Sequence, residues 1–191
     1  MNLPNKLTLL RILLVPFFVA FLLIEQIPFS CLWALVVFII ASVTDFLDGY
    51  IARKYNMITD FGKFADPLAD KILVISAFCC FIEMGIIGAV PVIIVLFREF
   101  AVTSVRLVAA AKGTVVAANM WGKAKTVSQM ASIIVILFVE WLAENVHALP
   151  DLTLNIFEWC GTGLLWISAV LTVISGAIYL KDNAKFINYK E

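Results

Sequence analysis

The stretch that decides the fold is Phe38-Ile39-Ile40-Ala41-Ser42-Val43-Thr44-Asp45-Phe46-Leu47-Asp48-Gly49-Tyr50-Ile51-Ala52-Arg53, a run that starts wholly apolar and ends in charge. Its first part belongs to an apolar segment, residues 30 to 50, long enough to cross about 30 Å of hydrocarbon as a helix. Its second part places two carboxylates at that segment's end, and Asp66 and Asp70 follow shortly after. Each carboxylate in or at a membrane costs roughly 2.5 to 3.5 kcal/mol on insertion scales, so a cluster of them calls for compensating cations and a function.

Similar apolar segments recur at 7 to 25, 67 to 84, 89 to 111, 124 to 143 and 157 to 181. The 191-residue chain is 63% hydrophobic with a mean hydropathy of +1.01, against about 45 to 50% apolar residues in soluble domains. The expected fold is therefore an all-α integral membrane protein, a bundle of six transmembrane helices forming one membrane domain over residues 1–191. Pro16 is expected to bend the first helix. Pro28, Pro67, Pro91 and Pro150 mark helix boundaries, with Gly85 and Gly88 in the third connection. The first apolar run has no small-residue cleavage site and reads as a retained helix.

The formal net charge is zero, from 14 basic and 14 acidic residues, but the signs are sorted. With six helices and the N-terminus inside, Lys6, Arg11, Arg53, Lys54, Lys63, Lys71, Arg98, Arg106, Lys112, Lys123, Lys125, Lys181, Lys185 and Lys190 all fall at cytoplasmic loops or helix ends. The other side receives Glu25, Glu83, Glu140, Glu144, His147, Asp151 and Glu158. This is the positive-inside pattern, and it places both termini in the cytoplasm. Residues 144 to 156 form an acidic external connection. Cys31, Cys79, Cys80 and Cys160 lack metal-type spacing and read as small apolar fillers. Gly161, Thr162, Gly163, Ser168, Ser175 and Gly176 give the last helix small residues for close packing. No repeat or low-complexity tract is present, so any chemistry lies within the bundle.

Asp45 and Asp48 are three apart, and Asp66 and Asp70 four apart, so each pair projects from one helix face. Two helices can aim four carboxylates at one point. Ligands of this kind suit hard divalent ions such as Mg²⁺ or Mn²⁺, and no nearby His or Cys argues for zinc. Four crowded negative charges repel or take up protons, whereas two divalent ions neutralise them and leave positions for phosphate oxygens. Gly49, Ala52 and Gly62 leave space beside the carboxylates for something bulky such as a nucleotide, and Arg53 is placed to pair with its phosphate.

The full order D-x2-D-G-x2-A-R-x8-G-x3-D-x3-D, from Asp45 to Asp70, resembles the signature of the CDP-alcohol phosphotransferase family without a departure. Those membrane enzymes transfer a substituted phosphoryl group from a CDP-linked alcohol to a second alcohol and release CMP. The resemblance implies that Asp45, Asp48, Asp66 and Asp70 hold two metal ions, that Asp70 is also the general base, and that Asp48, Gly49, Ala52, Arg53, Gly62 and Asp66 bind the CDP moiety. It also implies a homodimer.

Two further segments bear on the acceptor. Asn5, Thr8 and Arg11 recur at helical spacing as a polar stripe on the first helix, a pattern that an ordinary interfacial helix start with a snorkelling arginine also produces. Lys123, Thr126 and Gln129 recur on the fifth helix beside Lys125, and Arg98 and Arg106 stand on the fourth with Glu99 as a partner. Arg106, Lys123 and Arg98 make a candidate anion pocket, which favours an acceptor carrying its own phosphate. Both segments resemble the family branch whose donor is CDP-diacylglycerol and whose acceptor is glycerol-3-phosphate. The expected location is the plasma membrane with the active site on its cytoplasmic side; nucleic acid is not an expected partner. Serine or inositol phosphate as acceptor remains an alternative within the family. A divalent-cation transporter is another class, and it predicts carboxylates spread through the membrane thickness instead of gathered at one end.

Overall fold

A computed structural model describes residues 2–24, 26–55, 59–111, 120–145 and 151–183, and among them every regular element is helical. The helices are α1 (Leu3–Leu23), α2 (Ser30–Lys54), α3 (Asp60–Glu83), α4 (Ala89–Ala111), α5 (Met120–Asn145) and α6 (Asp151–Asp182). They match the six apolar segments in order.

Local chemistry sets the ends. Pro4 opens α1, where its missing N–H costs nothing, and the helix continues through Pro16 to Leu23. Thr59 caps α3 by accepting the Gly62 N–H at 3.0 Å. That cap moves the start of α3 to Asp60, so Pro67 lies inside the helix and is not its boundary. The other end of α3 closes on Gly85, whose φ of +76° belongs to the left-handed region. There the Gly85 and Ile86 N–H groups reach back to the Ile82 and Phe81 carbonyls at 3.0 and 2.9 Å, a Schellman closure. The helix at α6 also begins early, at Asp151, which takes the second half of the expected external connection into helix; Pro150 and His147 lie outside the described residues.

Among the described residues, four stretches are long and apolar enough to cross a membrane: Pro4–Leu23, Ser30–Ile51, Met120–Asn145 and Trp159–Asp182. The helices α3 and α4 are interrupted by charge, Asp66, Asp70 and Lys71 in one and Arg98, Glu99 and Arg106 in the other. Large apolar side chains such as Phe46, Phe97 and Trp159 point outward, as they do where the surroundings are lipid. The chain is a membrane protein.

The chain divides into two compact units, Met1–Ile87 with Ile133–Glu158, and Gly88–Ser132 with Trp159–Glu191. In the first, α1 packs against both α2 and α3. Its core alternates bulk with alanine: Phe18 and Leu22 on α1, Ala34, Phe38 and Ala41 on α2, Ala65, Ala69, Ala77, Phe78 and Phe81 on α3. Small residues let helix axes approach closely where lipid supplies no hydrophobic drive, and the Phe18 and Phe38 rings meet at 6.1 Å between centroids. Cys31 is buried and its thiol donates to Glu144 at 3.3 Å; all four cysteines are free. In the second unit, Val102 and Val105 of α4 pack on Tyr179 and Leu180 of α6. Ser128 and Ser132 of α5 donate to the Leu164 and Gly161 carbonyls of α6, fixing an antiparallel register.

Candidate active site

The first carboxylate pair lies on α2, with Asp45 half-buried and Asp48 buried. Between them sits the guanidinium of Arg11, which comes from α1 and is only 1% exposed. Its Nη1 is 2.5 Å from Asp45 Oδ1 and its Nη2 is 2.6 Å from Asp48 Oδ2. The three-residue spacing on α2 presents the two carboxylates side by side, at the span that a two-pronged guanidinium can bridge.

One turn earlier on α1, the buried Thr8 hydroxyl donates to Asp66 Oδ1 of α3 at 2.7 Å, with Asp48 Oδ2 at 3.4 Å and the Pro4 carbonyl at 3.1 Å beside it. Another turn earlier, Asn5 Oδ1 accepts from the Thr59 hydroxyl at 2.9 Å. The stripe Asn5, Thr8 and Arg11 therefore faces the acidic motif along its length.

Gly62 lies where this stripe meets α3. A Cβ there would stand 3.2 Å from Asn5 Oδ1, 3.3 Å from Thr59 Oγ1 and 3.6 Å from Asp66 Oδ2. Any larger residue here would make the Asn5 and Thr59 side chains give by a few tenths of an ångström.

The structure thus brings Asp45, Asp48 and Asp66 into one neighbourhood. It divides them between two partners, Arg11 for the α2 pair and Thr8 for Asp66, and among the described residues no three acidic, histidine or cysteine side chains are drawn together as a chelating set. The side chains of Asp70, Ala52 and Arg53 lie outside the described residues, although all three positions are helical. Gly49 is half-buried on α2. The donor set still fits hard divalent ions: every available ligand atom is a carboxylate or hydroxyl oxygen, and the Asp45–Asp48 pair already accommodates a cation.

A second polar cluster forms within the other unit. Arg98 donates to Glu99 at 3.1 Å and to Ser175 Oγ at 2.6 Å, and its side chain lies against Gly176, where a Cβ would be 2.9 Å from Arg98 Cγ. Lys125, buried at 4%, donates to the same Glu99 oxygen. Arg106 is exposed and stacks over the Tyr179 ring, its guanidinium carbon 5.6 Å from the centroid. Of the α5 candidates, Lys123 is exposed, Thr126 turns its hydroxyl back to the Gly122 carbonyl at 3.2 Å, and Gln129 is buried with Nε2 lacking a partner. Lys125, and not Lys123, is the lysine that faces inward here. The Nε of Arg98 and the hydroxyls of Ser168, Thr172 and Tyr179 are likewise buried without hydrogen-bond partners. Ser168, Thr172, Ser175 and Tyr179 recur at intervals of four, three and four on α6, a polar stripe in which Thr172 and Tyr179 formed no part of the sequence expectation. The periodicity was the signal that marks them. Thr59 was likewise signalled only by its place before an acidic helical turn.

A family model for the CDP-alcohol phosphatidyltransferases matches residues 1–174. Three curated relatives carry the name CDP-diacylglycerol--glycerol-3-phosphate 3-phosphatidyltransferase. The one from Bacillus subtilis is 44% identical, with 95% of each chain covered. That of Rickettsia bellii is 34% identical over 97% of each chain, and that of Haemophilus influenzae 37% identical over 94% of this chain and 92% of its own. With the acidic motif intact on α2 and α3 and the match running through all six helices, the chain belongs to the CDP-alcohol phosphatidyltransferase family.

Proposed function

We propose that this protein transfers the phosphatidyl group of CDP-diacylglycerol to glycerol-3-phosphate, forming phosphatidylglycerophosphate and CMP. The observation that carries the reading is the likeness to relatives of that printed name over nearly the whole of both chains. The acidic cluster and the separate cationic cluster support it, since a pyrophosphate donor and a phosphorylated acceptor each need their own charge partners.

In this reading Asp45, Asp48, Asp66 and Asp70 would hold two divalent ions, Mg²⁺ or Mn²⁺. When bound, the ions would offset the charge of the donor phosphates and of the departing CMP. Arg53 pairs with the donor phosphates, and Gly49, Ala52 and Gly62 leave room for the cytidine. Arg106, Lys123 and Arg98 take the acceptor phosphate; the exposed Arg106 guanidinium and the exposed Lys123 support that role.

Asp70 accepts the proton of the acceptor's primary hydroxyl as its oxygen attacks the phosphorus attached to diacylglycerol. The bond from that phosphorus to CMP breaks in line, with inversion. An ordinary aspartate has a pKa of about 3.9 and is a weak base, so proton transfer comes late, once the attacking oxygen has become acidic.

The charge sorting supports six membrane spans in a single domain with both termini cytoplasmic, an active site at the cytoplasmic face of the plasma membrane, and, from the family resemblance, a homodimer. The test is direct. Purified protein receives CDP-diacylglycerol with glycerol-3-phosphate, serine or inositol phosphate in turn, and the lipid product is identified with CMP release. Phosphatidylglycerophosphate is expected. Turnover with serine or inositol phosphate alone would replace the acceptor, and metal flux into vesicles with no CMP release would replace the enzyme by a transporter.

A further inference from the structure

Arg98 stands midway along α4 (Ala89–Ala111), a helix whose neighbouring Phe97 and Phe100 are exposed at 76 and 67%. On such a helix a long cationic side chain ordinarily lies along the surface and carries its charge out to the nearest polar medium. The Arg98 side chain is nonetheless only 11% exposed, so contacts on a neighbouring helix hold it in.

Those contacts come from two adjoining residues of α6. Ser175 is fully buried, and its Oγ accepts a hydrogen bond from Arg98 Nη2 at 2.6 Å. Gly176 leaves the gap in which the stem of Arg98 lies: a Cβ there would stand 2.9 Å from Arg98 Cγ and 3.9 Å from both Cβ and Nε. The pair thus offers a hydroxyl to the guanidinium and a groove to the aliphatic chain. From α4 itself, Glu99 accepts from Nη1 at 3.1 Å. Nε is buried without a partner. Each terminal nitrogen of a guanidinium carries two N–H groups, so Nη1 and Nη2 each keep a second donor beyond the bonds to Glu99 and Ser175.

We propose that Ser175 is a positioning residue for the acceptor phosphate: together with Gly176 it forms a seat that fixes the Arg98 guanidinium and presents the second N–H of each terminal nitrogen to the phosphate. The proposal rests on the reading of Arg98 as a ligand of that phosphate. Arginine is among the side chains with the most rotamer freedom to lose, and a guanidinium already held in place loses less of it when the anion binds. Ser175 acts through Arg98 alone. The seat is the same before and during the reaction, so it serves the affinity for the acceptor and not the chemical step.

The experiment measures CMP release in detergent with glycerol-3-phosphate and CDP-diacylglycerol each varied in turn, on the parent, Ser175→Ala, Arg98→Ala and the double variant, with thermal unfolding followed for each. A hydrogen bond to a charged group is lost in Ser175→Ala, which raises KM for glycerol-3-phosphate about tenfold. Its kcat and its KM for CDP-diacylglycerol stay within about twofold of the parent. Arg98→Ala raises the acceptor KM at least as far, and adding Ser175→Ala to it changes nothing more, because the two act as one unit. Ser175→Cys keeps a weaker acceptor at the same place and falls between parent and Ser175→Ala. Ser168→Ala removes a fully buried α6 hydroxyl that has no partner; it leaves the acceptor KM alone and so controls for the loss of a buried hydroxyl as such.

An unchanged acceptor KM in folded Ser175→Ala overturns the proposal. So does a loss shared by both substrates or confined to kcat, the pattern of general damage, or an effect of Ser175→Ala that persists in the Arg98→Ala background. Should Ser175→Ala fail to fold, Ser175→Cys carries the same comparison. The two levels of failure separate cleanly. A raised acceptor KM in Arg98→Ala but not in Ser175→Ala rejects the seat and leaves Arg98 as a phosphate ligand; an unchanged acceptor KM in Arg98→Ala rejects the ligand and the seat together.

Discussion

Replacing Gly62 by alanine sets two opposing effects against each other, and the distances decide between them. Alanine is favoured over glycine in a helix by up to about 1 kcal/mol, less in a first turn such as this one. Against it, the new Cβ stands 3.2 Å from Asn5 Oδ1 and 3.3 Å from Thr59 Oγ1, so both neighbours must retreat by a few tenths of an ångström. Those two atoms form one hydrogen bond, and Thr59 Oγ1 also accepts from Gly62 N. Each bond is worth about 0.5 to 1.5 kcal/mol. The net stability change should therefore fall between zero and a loss of about 1 kcal/mol, a drop of about 2 to 4 °C in melting point per kcal/mol for a chain of this size.

Activity should fall much further. The same Cβ lies 3.6 Å from Asp66 Oδ2, an ordinary contact that leaves the carboxylate in place; in the proposed reading Gly62 leaves room for the cytidine, and an added methyl group there misplaces the donor. At least a tenfold loss of kcat/KM is expected, about 1.4 kcal/mol of transition-state stabilisation. Thermal unfolding in detergent and CMP release are measured on Gly62→Ala beside Gly88→Ala, where an added Cβ meets nothing within 4 Å. Gly88→Ala should be silent in both assays. Gly62→Ala with turnover within twofold of the parent and an unchanged melting point would show that the neighbours yield freely, and the close-approach argument would be wrong.

Asp70→Asn should abolish turnover while CDP-diacylglycerol still binds; near-normal CMP release from this variant would remove Asp70 from the base role. Gly176→Ala should destabilise the protein by about 1 to 3 kcal/mol, because its Cβ would sit 2.9 Å from Arg98 Cγ and force that side chain off Ser175. Adding Arg98→Ala removes the clashing atom, so the double variant should unfold at a higher temperature than the two single effects summed, and strict additivity would refute the contact.

Hydropathy made the six helices legible because lipid-facing and core-facing positions are both apolar here, and the segment 89 to 111 coincides with α4 (Ala89–Ala111). It failed at the start of α3, where Asp60, Lys63 and Asp66 hide a helical turn that a threonine cap begins. The acidic motif was legible because its spacing is fixed by helical geometry. Partners across helices were less so: Glu99 was expected beside Arg98 or Arg106, but its second bond, to Lys125, joins residues on different helices and leaves no periodic trace. Arg11 was ambiguous for a physical reason. A snorkelling arginine and a buried counter-cation occupy the same place in an apolar helix start, and only burial separates them.

That burial explains how α1 finds its register. Apolar side chains surround α1 almost completely, and in lipid such a surface gives little preference for one rotation or depth over another. The polar stripe does. From Asn5 to Arg11 the helix rises about 9 Å, and over that length it meets Thr59 at the start of α3, then Asp66, then the Asp45–Asp48 pair. A shift by one residue would rotate the stripe by about 100° and set leucine against carboxylates, leaving Arg11 buried without its partners. Unpairing a buried ion pair costs about 3 to 5 kcal/mol, more than any single apolar contact between these helices offers in return. The charge constellation on α2 and α3 therefore positions the helix that packs on it, and Asn5, Thr8 and Arg11 belong to the same polar cluster as Asp45, Asp48 and Asp66.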